Sequence, residues 1–129
     1  MKKLKWISAP LAAAVHDEAI YEFGGLAGVR DAGLLESALD RPKNLQASKP
    51  KSTLFELAAS LCVGLAKNHP FNDGNKRTAL LVTRAFLYLN GQLLEPAQDD
   101  EVMTLVAVAE GSLDEEALAA WLKRNSKAR

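Results

Sequence analysis

Two stretches of this chain, residues 57–66 and 79–89, are apolar on nearly every side, so neither suits a surface position. Both carry helix punctuation. Thr53-Leu54-Phe55-Glu56 has the spacing of a capping box, and the first run must end before Pro70. The second closes at Asn90-Gly91, a typical helix stop. Helices of this kind belong in the middle of a bundle, with other elements around them.

The remaining punctuation supplies those elements. Ser8 followed by Pro10 starts a helix that Gly24-Gly25 stops. Asp31 caps a second one carrying Leu34, Leu35, Ala38 and Leu39, which Arg41-Pro42 is expected to end. Residues 42–51, polar and basic with two prolines, read as an exposed loop or short hairpin. Segments 99–110 and 113–123 complete the set, split at Gly111-Ser112, where Ser112 and Glu115 repeat the capping spacing. Leu93-Leu94 suits a short extended piece, and Trp6 and Trp121 are candidates to pack the chain ends together. The fold class is all-α, a compact bundle with two central buried helices. No repeat, low-complexity tract or linker interrupts it, and its 129 residues suit one domain, 1–129.

Composition narrows the function. Sixteen Lys+Arg balance sixteen Asp+Glu, which removes the basic footprint of a general nucleic-acid binder. The single cysteine, Cys62, excludes an intrachain disulfide and a zinc site of paired thiolates; it reads as an inert buried thiol. Met1-Lys2-Lys3 and residues 6–15 imitate a secretory leader, but Lys5, Ser8 and Pro10 weaken the apolar stretch. No run approaches the ~18 apolar residues of a membrane span. The expectation is a cytoplasmic protein.

Composition does not explain His69-Pro70-Phe71-Asn72-Asp73-Gly74-Asn75-Lys76-Arg77, the link between the two apolar helices. A helix start offers free N–H groups and partial positive charge, a ready anion site. Gly74 lets the backbone approach a phosphate closely. Lys76 and Arg77, three and four positions beyond Asp73, fall on its side of the helix, one a point charge and the other a planar fork. Asp73 cannot approach phosphate without repulsion, so it implies a divalent metal between them, with magnesium the expected ion. An imidazole ordinarily titrates at about 6.5, which suits His69 to take a proton from a hydroxyl. The grouping reads as phosphate capture plus nucleophile activation by a transferase using a nucleoside triphosphate.

Each residue also has a plainer reading. His69 suits a helix-ending cap, Asp73 an N-cap compatible with its functional role, and Lys76-Arg77 a solvated pair. Phe71 reads as a packing residue before a substrate contact. His16 reads as a satisfied structural histidine outside the site.

The segment resembles the Fic/Doc signature, His-x-Phe-x-Asp/Glu-Gly/Ala-Asn-x-Arg, and Lys76 is the mark of the Doc branch, the death-on-curing toxins of type II toxin–antitoxin modules. Val15-His16-Asp17, Phe23-Gly24-Gly25-Leu26, Asp31-Ala32-Gly33-Leu34-Leu35-Glu36, Asp40-Arg41-Pro42 and Thr78-Ala79-Leu80 extend the likeness to roughly residues 4–122. It implies a Fic/Doc-type bundle in which His69 is the catalytic histidine and Asp73 the metal- and phosphate-associated acid. Gly74, Asn75, Lys76 and Arg77 would form the phosphate-binding helix start, and Phe71 the anchor of the loop. Residues 42–51 would be a flap that holds the target in extended form, with Lys43, Lys49 and Lys51 near the target or simply solvated. AMP-transferring Fic enzymes usually have glycine where Lys76 stands and a second arginine where Leu80 stands; Gly74 is a Fic-like feature.

The resemblance thus implies transfer of the terminal phosphate of ATP, with Mg2+, to a Thr/Ser hydroxyl of elongation factor Tu, inhibiting translation. The implied partner is a Phd-like antitoxin whose disordered C-terminal segment folds on binding. Two alternatives stay open: nucleotidyl (AMP) transfer by the same pocket, and a non-catalytic antitoxin-binding regulatory partner.

Overall fold

The computed structural model describes residues 3–129, so Met1 and Lys2 of the leader-like start lie outside the described residues. Six helices run in the order α1 (Ala9–Phe23), α2 (Ala32–Ser48), α3 (Leu54–Asn68), α4 (Asn75–Leu89), α5 (Gln98–Glu110) and α6 (Glu115–Arg124). A small antiparallel pair of strands, β1 (Gln92–Leu94) and β2 (Ser126–Ala128), joins the ends of α4 and α6. The architecture is all-α. The apolar part of the leader-like start runs into the first half of α1, where Ala12 is fully buried. No helix among the described residues is long and apolar enough to cross a membrane.

α3 is the axis of the bundle. Its residues from Leu57 to Ala66 are all buried, and α2, α4, α5 and α6 pack around it. The capping box that starts it is complete: the Glu56 amide donates to Thr53 Oγ1 at 3.1 Å, and the Thr53 amide donates to Glu56 Oε1 at 2.9 Å. Hydrogen bonding to the carboxylate from the Thr53 amide first, and from its hydroxyl second, favours the ionised form and holds the exposed Glu56 carboxyl below its ordinary value. α4 buries one face through Thr78, Ala79, Val82, Thr83, Phe86 and Leu87, while Lys76, Arg77, Leu81 and Arg84 face a cavity.

Three local expectations are corrected. α2 does not end at Arg41-Pro42 but continues to Ser48, so residues 42–48 are helical and form no flap. Proline forfeits one helical hydrogen bond. Pro42 is buried, however, and Leu45 packs on the core, so continuing the helix covers apolar surface that an exposed loop would leave in water. What remains of the loop is a tight turn in which the Ser52 amide and hydroxyl both donate to the Lys49 carbonyl. Lys43, helical, lies 3.9 Å from Asp40 on the same helix. Second, α6 is capped by Asp114, whose Oδ1 accepts the Ala117 amide at 2.8 Å, while Ser112 Oγ donates back to Ala107. A carboxylate with the right offset displaces the expected Ser112 cap. Third, the chain ends are not joined by the two tryptophans. Trp6 stacks on Phe86, and Trp121 Nε1 donates to Asp100. The ends meet at the stop of α4 instead: Lys5 exchanges two bonds with the Asn90 amide, and the Arg129 amide donates to the Gly91 carbonyl.

Cys62 sits inside α3, and burial pushes its thiol up to about 11. Native protein should therefore resist iodoacetamide at neutral pH and react only on unfolding. Rapid labelling of the folded chain, followed by mass, would contradict the packing of α3.

Candidate functional site

The link between α3 and α4 is fixed by bonds from two distant parts of the chain, α1 and residues 26–31. α3 ends at His69, which takes a left-handed conformation at φ 50°, ψ 54°, uncommon for a residue with a side chain. Strain of this kind persists only where the surroundings impose it. Here Arg30 imposes it: Nε and Nη2 both donate to the His69 carbonyl, at 2.8 and 2.6 Å, and Nη2 also reaches the Asn68 carbonyl. A guanidinium at a helix C-terminus also complements the dipole. The His69 side chain is left exposed at the mouth of the cavity.

Beyond it, residues 26–31 lie along residues 70–73 like a second strand. Val29 and Phe71 form an antiparallel bridge, the Arg30 and Asp31 amides donate to the Pro70 carbonyl, and the Asn72 amide donates to the Gly28 carbonyl. Asn72 Nδ2 donates to Ala27 and the Leu26 amide donates to Asp73 Oδ2. The extended backbone beside the motif is thus this segment, not residues 42–51. It can approach so closely because Gly25, at φ 120°, has no Cβ; one would stand 2.8 Å from Asp73 Oδ2.

Phe71 is buried and its ring stacks on the His16 imidazole, centroids 4.1 Å apart and planes within 5°. Asn75 closes the turn: its Oδ1 accepts the Phe71 amide at 2.9 Å and its Nδ2 donates to the Phe71 carbonyl at 3.0 Å. Its side chain is therefore committed to the loop, and an anion would meet only its backbone N–H.

The start of α4 is open. Its cap is Gly74, left-handed at φ 68°, and no side chain caps the helix. The plain expectation that Asp73 would be the N-cap fails, because Asp73 stands one residue too early; its Oδ1 accepts the adjacent Gly74 amide. The first backward bond in α4 runs from the Thr78 amide to the Gly74 carbonyl. The N–H groups of Asn75, Lys76 and Arg77 consequently have no acceptor among the described residues. Four of the loop carbonyls, by contrast, are engaged: His69 by Arg30, Pro70 by two amides, Phe71 by Asn75, Asp73 by His16. Donors are presented and acceptors withdrawn, which is what an anion site needs.

An open cavity of about 760 Å³ begins at this cradle. His69, Asp73, Gly74, Asn75, Lys76 and Arg77 all line it, with Ile20 and Phe23 of α1 and Val102, Leu105 and Val106 of α5. Arg77 stacks its guanidinium over Phe23, 3.8 Å from the ring centre. Phe71 alone of the predicted residues is absent from the lining, consistent with its burial. Among the described residues no group of three or more His, Cys, Asp or Glu could hold a metal. Asp73 offers a single exposed carboxylate, each oxygen accepting one amide. That donor set suits an ion such as magnesium, commonly held by one or two carboxylates plus substrate phosphates.

Two contributors escape a reading of the motif alone, Arg30 and His16. They stand 39 and 57 residues from their partners, so no local spacing announces them.

Comparison with known proteins agrees with the geometry. The chain is 35% identical over 121 residues to "Protein kinase doc" of Escherichia phage P1, covering 94% of this chain and 95% of that protein. It is 39% identical over 97 residues to "Toxin Doc" of Mycolicibacterium smegmatis, covering 71% and 75% respectively. The model of the Fic/DOC family matches residues 6–87, which span the His69–Arg77 cradle, the whole of α3 and α4 as far as Leu87. On motif, helical frame and overall likeness together, the chain belongs to the Fic/DOC family.

Proposed function

We propose that this protein is the toxin of a toxin–antitoxin module and acts as a Doc-like kinase, moving the terminal phosphate of ATP to a Thr/Ser hydroxyl of a translation factor, elongation factor Tu. The observation that carries the reading is the cradle at the start of α4, with amide donors outward and Lys76 and Arg77 beside it, on the same cavity as the exposed His69 imidazole. The names of the two relatives, a kinase and a toxin, support it.

In this reading the free amides and the two cations hold the phosphate chain. His69 accepts the proton of the target hydroxyl, whose oxygen bonds to the terminal phosphorus while ADP departs. Asp73 would hold Mg2+, which supplies neutralisation of phosphate charge when bound. Leu80 lines the cavity where the Fic pattern has a second arginine, and the cavity's other guanidinium, Arg84, is bonded to Glu101, so Arg77 is the one guanidinium beside the cradle. That favours transfer of the terminal phosphate over nucleotidyl transfer. A Phd-like antitoxin whose C-terminal segment orders on binding is the proposed partner, acting in the cytoplasm.

Incubation with ATP, Mg2+ and purified elongation factor Tu, followed by intact mass of the factor, tests the reaction. A phosphate-sized increment is expected. A nucleotide-sized increment would assign the pocket to AMP transfer, and no increment would remove the factor as target.

A further inference from the structure

We propose that His16, on α1 and outside the signature, is a positioning residue of the site, whose imidazole N–H sets the direction of the Asp73–Gly74 peptide and so keeps a carbonyl oxygen out of the anion cradle. Its effect on the reaction rests on the phosphate-transfer reading above; its effect on the peptide does not.

His16 is 1% exposed, an unusual place for an imidazole. Its Nε2 lies 2.8 Å from the Asp73 carbonyl oxygen. A carbonyl can only accept, so Nε2 carries the hydrogen and the tautomer is fixed. A face of the ring is engaged as well as its edge, because the ring lies parallel on Phe71. One side chain thus touches both residue 71 and residue 73 of the loop.

The consequence follows from peptide planarity. In a trans peptide the C=O and the next N–H point in opposite directions. Holding the Asp73 oxygen towards α1 turns the Gly74 N–H the other way, where it meets Asp73 Oδ1 at 2.9 Å. Gly74 has no Cβ to resist rotation of this peptide, and its φ of 68° lies where glycine moves freely. Without an external donor, the peptide can turn and present its oxygen to an incoming phosphate. Both the carboxylate of Asp73 and the first amides of α4 would shift with it. Of the four engaged carbonyls in the loop, Asp73's is the one next to the cradle and the one served by a histidine.

Two substitutions separate donor from packing. His16→Phe keeps a ring on Phe71 and removes the donor, whereas His16→Gln keeps a donor at similar reach and removes the ring. The readouts are the Gly74 and Asn75 amide resonances by NMR, the kcat and KM of phosphate transfer, and the thermal midpoint as a record of folding. H16F is expected to move both resonances and lower kcat/KM for ATP by about 10²-fold, the scale of a roughly 1 Å misplacement. H16Q is expected to keep the wild-type resonances and most of the activity. A folded H16F with wild-type resonances and rate would overturn the proposal. So would a folded H16Q as impaired as H16F, since that would make the ring rather than the N–H responsible. Should H16F fail to fold, His16→Leu replaces it as the donor-free variant. If the wild-type protein transfers no phosphate to any target, the proposed function fails, and the resonances alone decide the role of His16.

Discussion

His69→Ala is expected to abolish the growth arrest caused by expressing this chain without an antitoxin, and to slow phosphate transfer by about 10²–10⁴-fold, the usual contribution of a positioned acid–base group. The same change should scarcely affect stability. The side chain is exposed, and it is the backbone of residue 69, not the imidazole, that Arg30 grips. Glycine makes the sharper experiment. At φ 50° a side chain is strained, at a cost of order 1–3 kcal/mol, which glycine relieves while adding freedom to the unfolded chain. His69→Gly should therefore be inactive yet no less stable than the parent. An inactive variant that has lost several kcal/mol would instead mean that the imidazole supports the fold. Growth arrest that survives the loss of His69 would mean that toxicity does not come from catalysis.

That separation, with function on the side chain and structure on the backbone, also explains what the amino-acid sequence discloses. The signature segment is contiguous, nine residues from His69 to Arg77, and α3 and α4 are marked by apolar runs too long for a surface and by clear stops. All of that is local and legible. What escapes is set by tertiary contact. Pro42 stands inside α2 because its burial outweighs a rule about its own backbone. β2 has no strand pattern in Ser-Lys-Ala and exists because β1 lies beside it. His16 looks like an ordinary core histidine until the fold brings α1 against residue 73. Arg30 sits in a loop of small and apolar residues, where nothing local hints that it will close the end of α3. The candidate site can be read from one segment, but the devices that hold its peptide groups in register are drawn from residues 16–31 and become visible only once packed.

Phe71→Ala should be the most damaging single change to stability around the site. The ring is 1% exposed and its removal leaves a cavity beneath the loop, a loss of about 3–5 kcal/mol for a buried phenylalanine. Domains are commonly stable by only about 5–15 kcal/mol, and 1 kcal/mol shifts the midpoint by roughly 2–8 °C across small domain sizes. A fall of order 10 °C or more in thermal unfolding is therefore expected, with a matching drop in the urea midpoint. The damage should not stay local to the core. Phe71 shares its ring face with His16 and its backbone with Asn75, so the cavity frees the two partners that hold the loop on either side. Folded F71A at low temperature should thus bind ATP weakly even where most of the chain is native. Phe71→Leu, which keeps much of the volume but not the flat face, should recover stability more than nucleotide binding. If F71A loses less than about 1 kcal/mol, the ring is not the keystone its burial implies. If F71L recovers both properties equally, the loop needs only volume at residue 71 and the stacked face against His16 is incidental.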